Sequence, residues 1–140
     1  MKRDWDLIRE LLTGIEEDKD IFANLPDEPS WGDISEEEFL KLQAAYLTFS
    51  RRFFGHLELL VESGYVDGIQ LSRSADGRFS YGLSDPRLTM IGHDLLDTMR
   101  SETVWEKVKS TAKSKGIELT LDSIKALASW AIKTALDQIQ

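Results

Sequence analysis

Apolar residues fall into two different rhythms along this chain, and the change between them marks its organisation. After Asp4, a residue suited to capping a helix, Trp5, Ile8, Leu11, Leu12 and Ile15 recur at helical spacing on one face, which predicts a first helix ending near Asp18. The stretch NLPDEPSWGD, with two prolines and a glycine, reads as a connection, and Trp31 is expected to pack back onto the body. Ser35 stands three residues before Glu38, the spacing of a capping box, and Ile34 and Phe39 occupy the positions of a hydrophobic staple. A second helix is therefore predicted from Glu36, carrying Phe39, Leu42, Tyr46 and Leu47. Thr48 and Ser50 are both able to interrupt or cap, so a short turn is expected there. It leads into a third helix from about Arg51 to Ser63, with Phe53, Leu57, Leu60 and Val61 as its buried stripe and Gly64 as its left-handed stop.

Beyond Gly64 the period falls from 3.6 to 2. Ile69 and Leu71, then Phe79, Tyr81 and Leu83, alternate on either side of SADGR, and Asp76-Gly77 is a strong hairpin-turn signal. Asp85-Pro86 is read as the end of that hairpin. Helical spacing then returns with Ile91, Leu95, Leu96 and Met99 inward, and Gly92 permits a close approach to the sheet. A recapping point at Ser101 precedes Val104, Trp105, Val108 and Ala112, and Gly116 ends that helix. The last helix begins at Thr120 or Asp122. Its apolar positions, from Leu121 to Leu136 and Ile139, spread over more than one stripe, so it is expected either to be sandwiched in the core or to be shared with a second copy.

This order predicts a mainly α fold with a small β-hairpin: a winged helix-turn-helix followed by C-terminal helices. At 140 residues the chain suits a single domain, with residues 1–34 an N-terminal helix and acidic linker, 35–100 the helix-turn-helix and wing, and 101–140 the C-terminal helices. The absence of cysteine excludes disulfides, thiolate metal sites and cysteine nucleophiles. No apolar run has the length of a signal peptide or a membrane span, so a cytoplasmic protein is expected.

Charge changes the functional picture more than the fold. Of the net −8, residues 16–38 carry −9, while the remainder is close to neutral at +1. A DNA-binding unit of this shape would place Ser50, Arg51 and Arg52 at the start of its recognition helix, and Arg73 and Arg78 beside the wing turn, where they would meet base edges and phosphate. The overall basic excess that such a role calls for is missing. The alternative is a protein-interaction module in which Glu36, Glu37 and Glu38 face a basic partner. A second basic group, Arg100 with Lys107, Lys109, Lys113 and Lys115, is read as an exposed helix face. His56 and His93 are the only histidines, and His93 with Asp97 is no more than two potential ligands. No phosphate-binding glycine loop, nucleophile elbow or metalloprotease motif occurs, so neither an enzyme nor a cofactor is expected.

The segments GHLELLVESGYV and RLTMIGHDLLDTMR resemble those that flank the wing of winged-helix regulators. More closely, the opening MKRDWDLIR, HLELL with ESGYV, RLT with GHDLLD, and TVWEKVK resemble a bacterial and phage family known as domain of unknown function 2513. The resemblance covers most of the chain and departs from the family in the NLPDEPSWGD linker. It implies a winged-helix fold, a frequent phage or prophage origin and no established activity. Together these readings make a DNA-binding transcriptional regulator of phage type the first expectation, with duplex DNA as ligand and a homodimer formed through the 120–140 helix. The alternative is an interaction module acting on a host protein.

Overall fold

The computed structural model of the chain describes residues 1–138. Five helices and one antiparallel hairpin follow in the order α1 (Trp5–Glu16), α2 (Glu36–Glu62), β1 (Val66–Arg73), β2 (Phe79–Leu88), α3 (Met90–Met99), α4 (Glu102–Lys115) and α5 (Leu121–Asp137). The architecture is mainly α with a small β-hairpin, as the periodicity predicts. Among the described residues no helix is long and apolar enough to cross a membrane.

The core is assembled on α1. The Asp4 carboxylate caps it by accepting the Leu7 N–H at 3.1 Å, and Trp5, Leu7, Ile8, Leu11, Leu12 and Ile15 are all buried. A side chain of this size contributes about 1.5–3 kcal/mol when fully buried, so one face of α1 holds a large share of the stabilisation. Four polar contacts orient the helix. The Trp5 indole donates to the Leu119 carbonyl at 3.0 Å, and the Trp105 indole of α4 donates to the Asp6 carboxylate at 2.8 Å. Arg9 Nε donates to the Met99 carbonyl at the end of α3 at 2.6 Å. His56 of α2, fully buried, accepts the Asp4 N–H on Nε2 at 2.7 Å while its Nδ1 lies 2.7 Å from the Arg52 carbonyl. That pattern selects the neutral imidazole with its proton on Nδ1, since Nε2 must accept and Nδ1 must donate. His56 therefore has the packing role its place in HLELL suggests.

The main departure from expectation is α2. The turn at Thr48–Ser50 does not exist: one helix of 27 residues runs from Glu36 to Glu62, about 40 Å at 1.5 Å per residue. Thr and Ser lower helix propensity only slightly, and no glycine or proline occurs between Glu36 and Phe54 to break the ladder. The helix-turn-helix predicted over this segment is consequently absent. Ser50, expected on an outer face, is buried, as is Gly55, where a Cβ would overlap the Met1 thioether. The cap is only half of a box: Ser35 Oγ accepts the Glu38 N–H at 3.2 Å, and Phe39 packs edge-to-face with Trp31, ring centroids 5.1 Å apart, while Trp31 stays two-thirds exposed. At the other end Gly64 takes its left-handed conformation (φ +79°), and the Tyr65 N–H returns to the Leu60 carbonyl at 2.9 Å.

The hairpin pairs Ile69 with Leu83 and Arg73 with Phe79, and its turn closes through Gly77 at φ +84°. Asp85-Pro86 does not end it. The chain bulges there, so that Gly68 alone faces Ser84–Pro86, and pairing resumes with Asp67 opposite Arg87 and Val66 opposite Leu88. A proline without a ladder donor is accommodated in such a bulge. The hairpin is held to the body by aromatic rings: Phe22 stacks on Tyr81 at 4.0 Å, and Phe54 of α2 on Phe79 at 5.3 Å.

Thr89 joins the hairpin to α3. Its hydroxyl donates to the Gly64 carbonyl and accepts the Gly92 N–H at 3.2 Å, and its own N–H reaches the Tyr65 carbonyl at 3.0 Å. Gly92 lies so close that a Cβ would overlap the Tyr65 oxygen. Leu95, Leu96 and Met99 point inward as expected, whereas Ile91 is half exposed. Ser101 caps α4, Gly116 ends it at φ +66°, and Thr120 with Ser123 forms a true capping box for α5. Only Ile124, Ala128 and Ala131 of α5 are buried; Trp130, Ile132 and Leu136 remain exposed, and Ile139 lies outside the described residues.

Two substitutions test this architecture. Thr48→Pro removes the N–H that a continuous helix bonds to Ala44 and costs about 3 kcal/mol locally, so far-UV circular dichroism is expected to show helix content lost from the outer turns; unchanged helicity would mean that a turn stands at 48–50. Gly92→Ala is expected to lower the unfolding free energy by about 1–3 kcal/mol in urea titration, and a neutral result would contradict the close approach to Tyr65.

Candidate functional site

The residues proposed for DNA contact do not form one free basic surface. Ser50 is buried, and Arg52 sits in the middle of α2, ion-paired with the Asp4 carboxylate. Arg73 pairs with Glu58 at 2.7 Å and lies over the Phe79 ring at 4.7 Å. Arg78 is taken by Glu28 of the linker at 2.6 Å and by Asp76 of its own turn at 3.4 Å. Arg51 alone of the four arginines forms no ion pair among the described residues, and it is exposed in mid-helix rather than at a helix start. The acidic linker thus reaches the hairpin tip and neutralises it. Residues 48 positions apart or more, such as Asp4 with Arg52 or Glu28 with Arg78, carry no local signal of their meeting.

The second basic group is also partly engaged. Lys109 pairs with Asp6 at 2.9 Å and Glu106 at 3.0 Å, and Arg100 grips Glu16 and Asp97. Lys107 lies over the Trp130 ring at 5.8 Å, and Lys113 and Lys115 occupy the last turn of α4, where cations complement the helix dipole. His93 does not join Asp97: its Nδ1 faces the Glu16 carboxylate at 3.1 Å, while Asp97 is held by Arg100.

Three carboxyl groups are held ionised by these contacts. The hydrogen bond from Arg100 is the largest influence on Glu16 and, with His93, lowers it below the ordinary value of 4.5. Burial acts to raise Asp6 and Asp4, but hydrogen bonds from Trp105 and Lys109 on Asp6, and from Arg52 and the Leu7 N–H on Asp4, outweigh it and leave both lowered. Asp4 and Asp6 also border an open cleft of about 550 Å³ with Lys2, Arg3, Trp5, Arg52, Glu118 and Leu119. Both are committed to structural partners, and neither is set up to accept a proton at neutral pH.

A different surface is free. Between Glu36 and Phe49 no residue of α2 is buried, and this outer half stands away from the body. Leu40, Leu42 and Leu47 are 54%, 46% and 39% exposed, and Glu36, Glu37 and Glu38 form the first turn. Phe39, Gln43 and Tyr46 are half-buried. The candidate acidic residues are therefore brought together with exposed leucines on a single projecting element. The apolar pattern of this half was legible in the sequence, but its exposure was not.

Comparison with known proteins places this geometry in a family. The family model described as "Hypothetical protein (DUF2513)" matches residues 2–118. The chain belongs to that family. The match spans α1 to α4 and stops short of α5, which begins at Leu121. An uncharacterised protein of Haemophilus influenzae is 32% identical over 136 residues, covering 97% of this chain and 99% of the relative, so its similarity extends into α5. No solved structure matches the chain.

The Glu16 contacts have a measurable consequence. A carboxyl group lowered in the folded state contributes stability above its unfolded value, and that contribution is lost as pH falls through the folded one, because the unfolded chain then binds the proton more readily. Unfolding free energy should accordingly fall on acidification below about pH 4.5, and Glu16→Gln should flatten that slope in urea titrations at successive pH values. An identical slope in the variant would show that the Arg100 and His93 contacts do not persist in solution.

Proposed function

We propose that this family member is a non-enzymatic protein-interaction module that presents the outer half of α2 to a partner. The observation that carries the reading is the exposure of Leu40, Leu42 and Leu47 on a projecting helix whose first turn holds three carboxylates. A projecting helix that shows apolar side chains to solvent is the kind of element that docks against an apolar surface of another protein, and the acidic first turn suits a surface bordered by lysine and arginine. Exposed leucines in contact with water are a standing cost unless a partner covers them.

The ion pairs of Arg52, Arg73 and Arg78 favour this reading over DNA binding. A phosphate contact would first have to displace Asp4, Glu58 or Glu28, and each displaced carboxylate would then repel the backbone. In the continuous α2, Arg51 and Arg52 lie in mid-helix, and the helix start that would point into a groove carries Glu36, Glu37 and Glu38 instead.

Replacing Glu36 and Glu38 by lysine together with Leu42→Asp should abolish capture of the partner retained by the wild-type chain in a pull-down. Capture unchanged by all three would remove the reading. Fluorescence anisotropy with duplex DNA supplies the opposite arm: binding that weakens steeply with salt and disappears in Arg51→Glu with Arg52→Glu would establish the nucleic-acid role instead.

A further inference from the structure

Leu40, Ala44, Leu47 and Arg51 follow one another at spacings of four, three and four residues, and Glu37 extends the series by three in the other direction. That alternation is the seam of a coiled coil, and it lies on a different side of α2 from Leu42 and from Phe39 with its Trp31 cover. Every member of the seam is exposed. Its two ends are opposite in charge and incompletely used: Arg51 has no ion pair among the described residues, and Glu37 has only the solvent-exposed Lys41 at 3.6 Å.

We propose that this seam pairs with a second copy of the chain, antiparallel and about a twofold axis close to Ala44. In an antiparallel pair the acidic end of each helix meets the basic end of the other, so Glu37 of each copy stands beside Arg51 of its partner. A parallel pair would instead set Glu37 against Glu37 and Arg51 against Arg51. The small side chain of Ala44 lets the helices approach closely at the axis, and Leu40 and Leu47 of each copy pack on either side of it. The hairpin lies against α2 beyond Arg51, through Phe79 on Phe54 and Arg73 on Glu58, which limits the pairing to the free half of the helix. The seam takes Leu40 and Leu47, two of the three leucines on which the heterologous reading rests, and leaves Leu42 on the opposite side of the helix, so a second copy and another partner compete for the first two and Leu42 alone separates them. The seam also differs from α5, whose exposed Trp130 and Leu136 offer the competing face for self-association.

Multi-angle light scattering of the full chain at about 100 µM tests the pairing, the high loading being needed because so short an interface predicts a weak, micromolar dimer. The expected mass is twice the 15.9 kDa of the chain. Leu47→Asp should return the monomer with the thermal midpoint of the body retained, while Trp130→Glu should leave the dimer in place. Glu37→Arg alone and Arg51→Glu alone should each weaken association about tenfold or more, since each contact occurs twice, and the double reversal should recover the wild-type constant to within about threefold. A monomeric wild-type chain overturns the proposal. So does a dimer that survives Leu47→Asp, one that dissociates with Trp130→Glu, or a double reversal no better than the single ones. Leu42→Asp alone, outside the seam, should leave the dimer in place, so loss of another partner in that variant is read separately from loss of self-association.

Discussion

The position of α1 is the constraint on which the other elements depend. Its cap residue, Asp4, is held from two directions by α2: the backbone N–H donates to buried His56, and the carboxylate pairs with Arg52. Asp6, half a turn on, receives the Trp105 indole of α4, and Arg9 reaches the last carbonyls of α3. With these polar contacts fixing its rotation and height, the apolar face of α1 can be covered by α2, α3 and the hairpin at once. Loss of the His56 acceptor would strand a buried N–H, a defect that typically costs about 1–3 kcal/mol. The same contacts commit Asp4, Asp6 and Arg52 to structure.

Charge in this protein is used largely within the chain. The acidic segment 16–38 does not simply float in solvent: Glu28 of the linker binds the arginine at the hairpin tip, and Glu16 at the end of α1 binds Arg100. Pairs as exposed as these contribute little stability individually, of the order of 0–1 kcal/mol. Their larger effect is on recognition, because they turn what would be a basic rim into a locally neutral one. Glu36 to Glu38 are concentrated in the first turn of α2, where they also favour its N-terminus through the helix dipole.

The length of α2 decides which surface is available. Had the helix broken at Thr48, its first half could have folded back and covered its own leucines, giving two short helices before the hairpin. Because the ladder continues, the inner half is locked into the core by Phe53, Leu57 and Leu60 and carries the outer half away from it. Rigidity in the inner half thus produces exposure in the outer half.

Much of the secondary structure was legible in the sequence by itself because its signals are local. Asp4, Ser35, Ser101 and Thr120 each cap the helix that follows them, Gly64 and Gly116 end helices in the left-handed region, and Asp76-Gly77 turns the hairpin. Each is a property of a few adjacent residues, and the motifs that resemble domain of unknown function 2513 identified the family that the comparison then showed. What the tertiary structure alone decided was whether α2 breaks, where the Asp85-Pro86 bulge returns to the ladder, and which charges meet. Thr48 and Ser50 are compatible with a turn or a helix, and an arginine reads the same whether a carboxylate lies beside it or not. Those choices depend on contacts between residues tens of positions apart, such as Arg52 with Asp4 and Arg78 with Glu28, and only the folded chain brings them together.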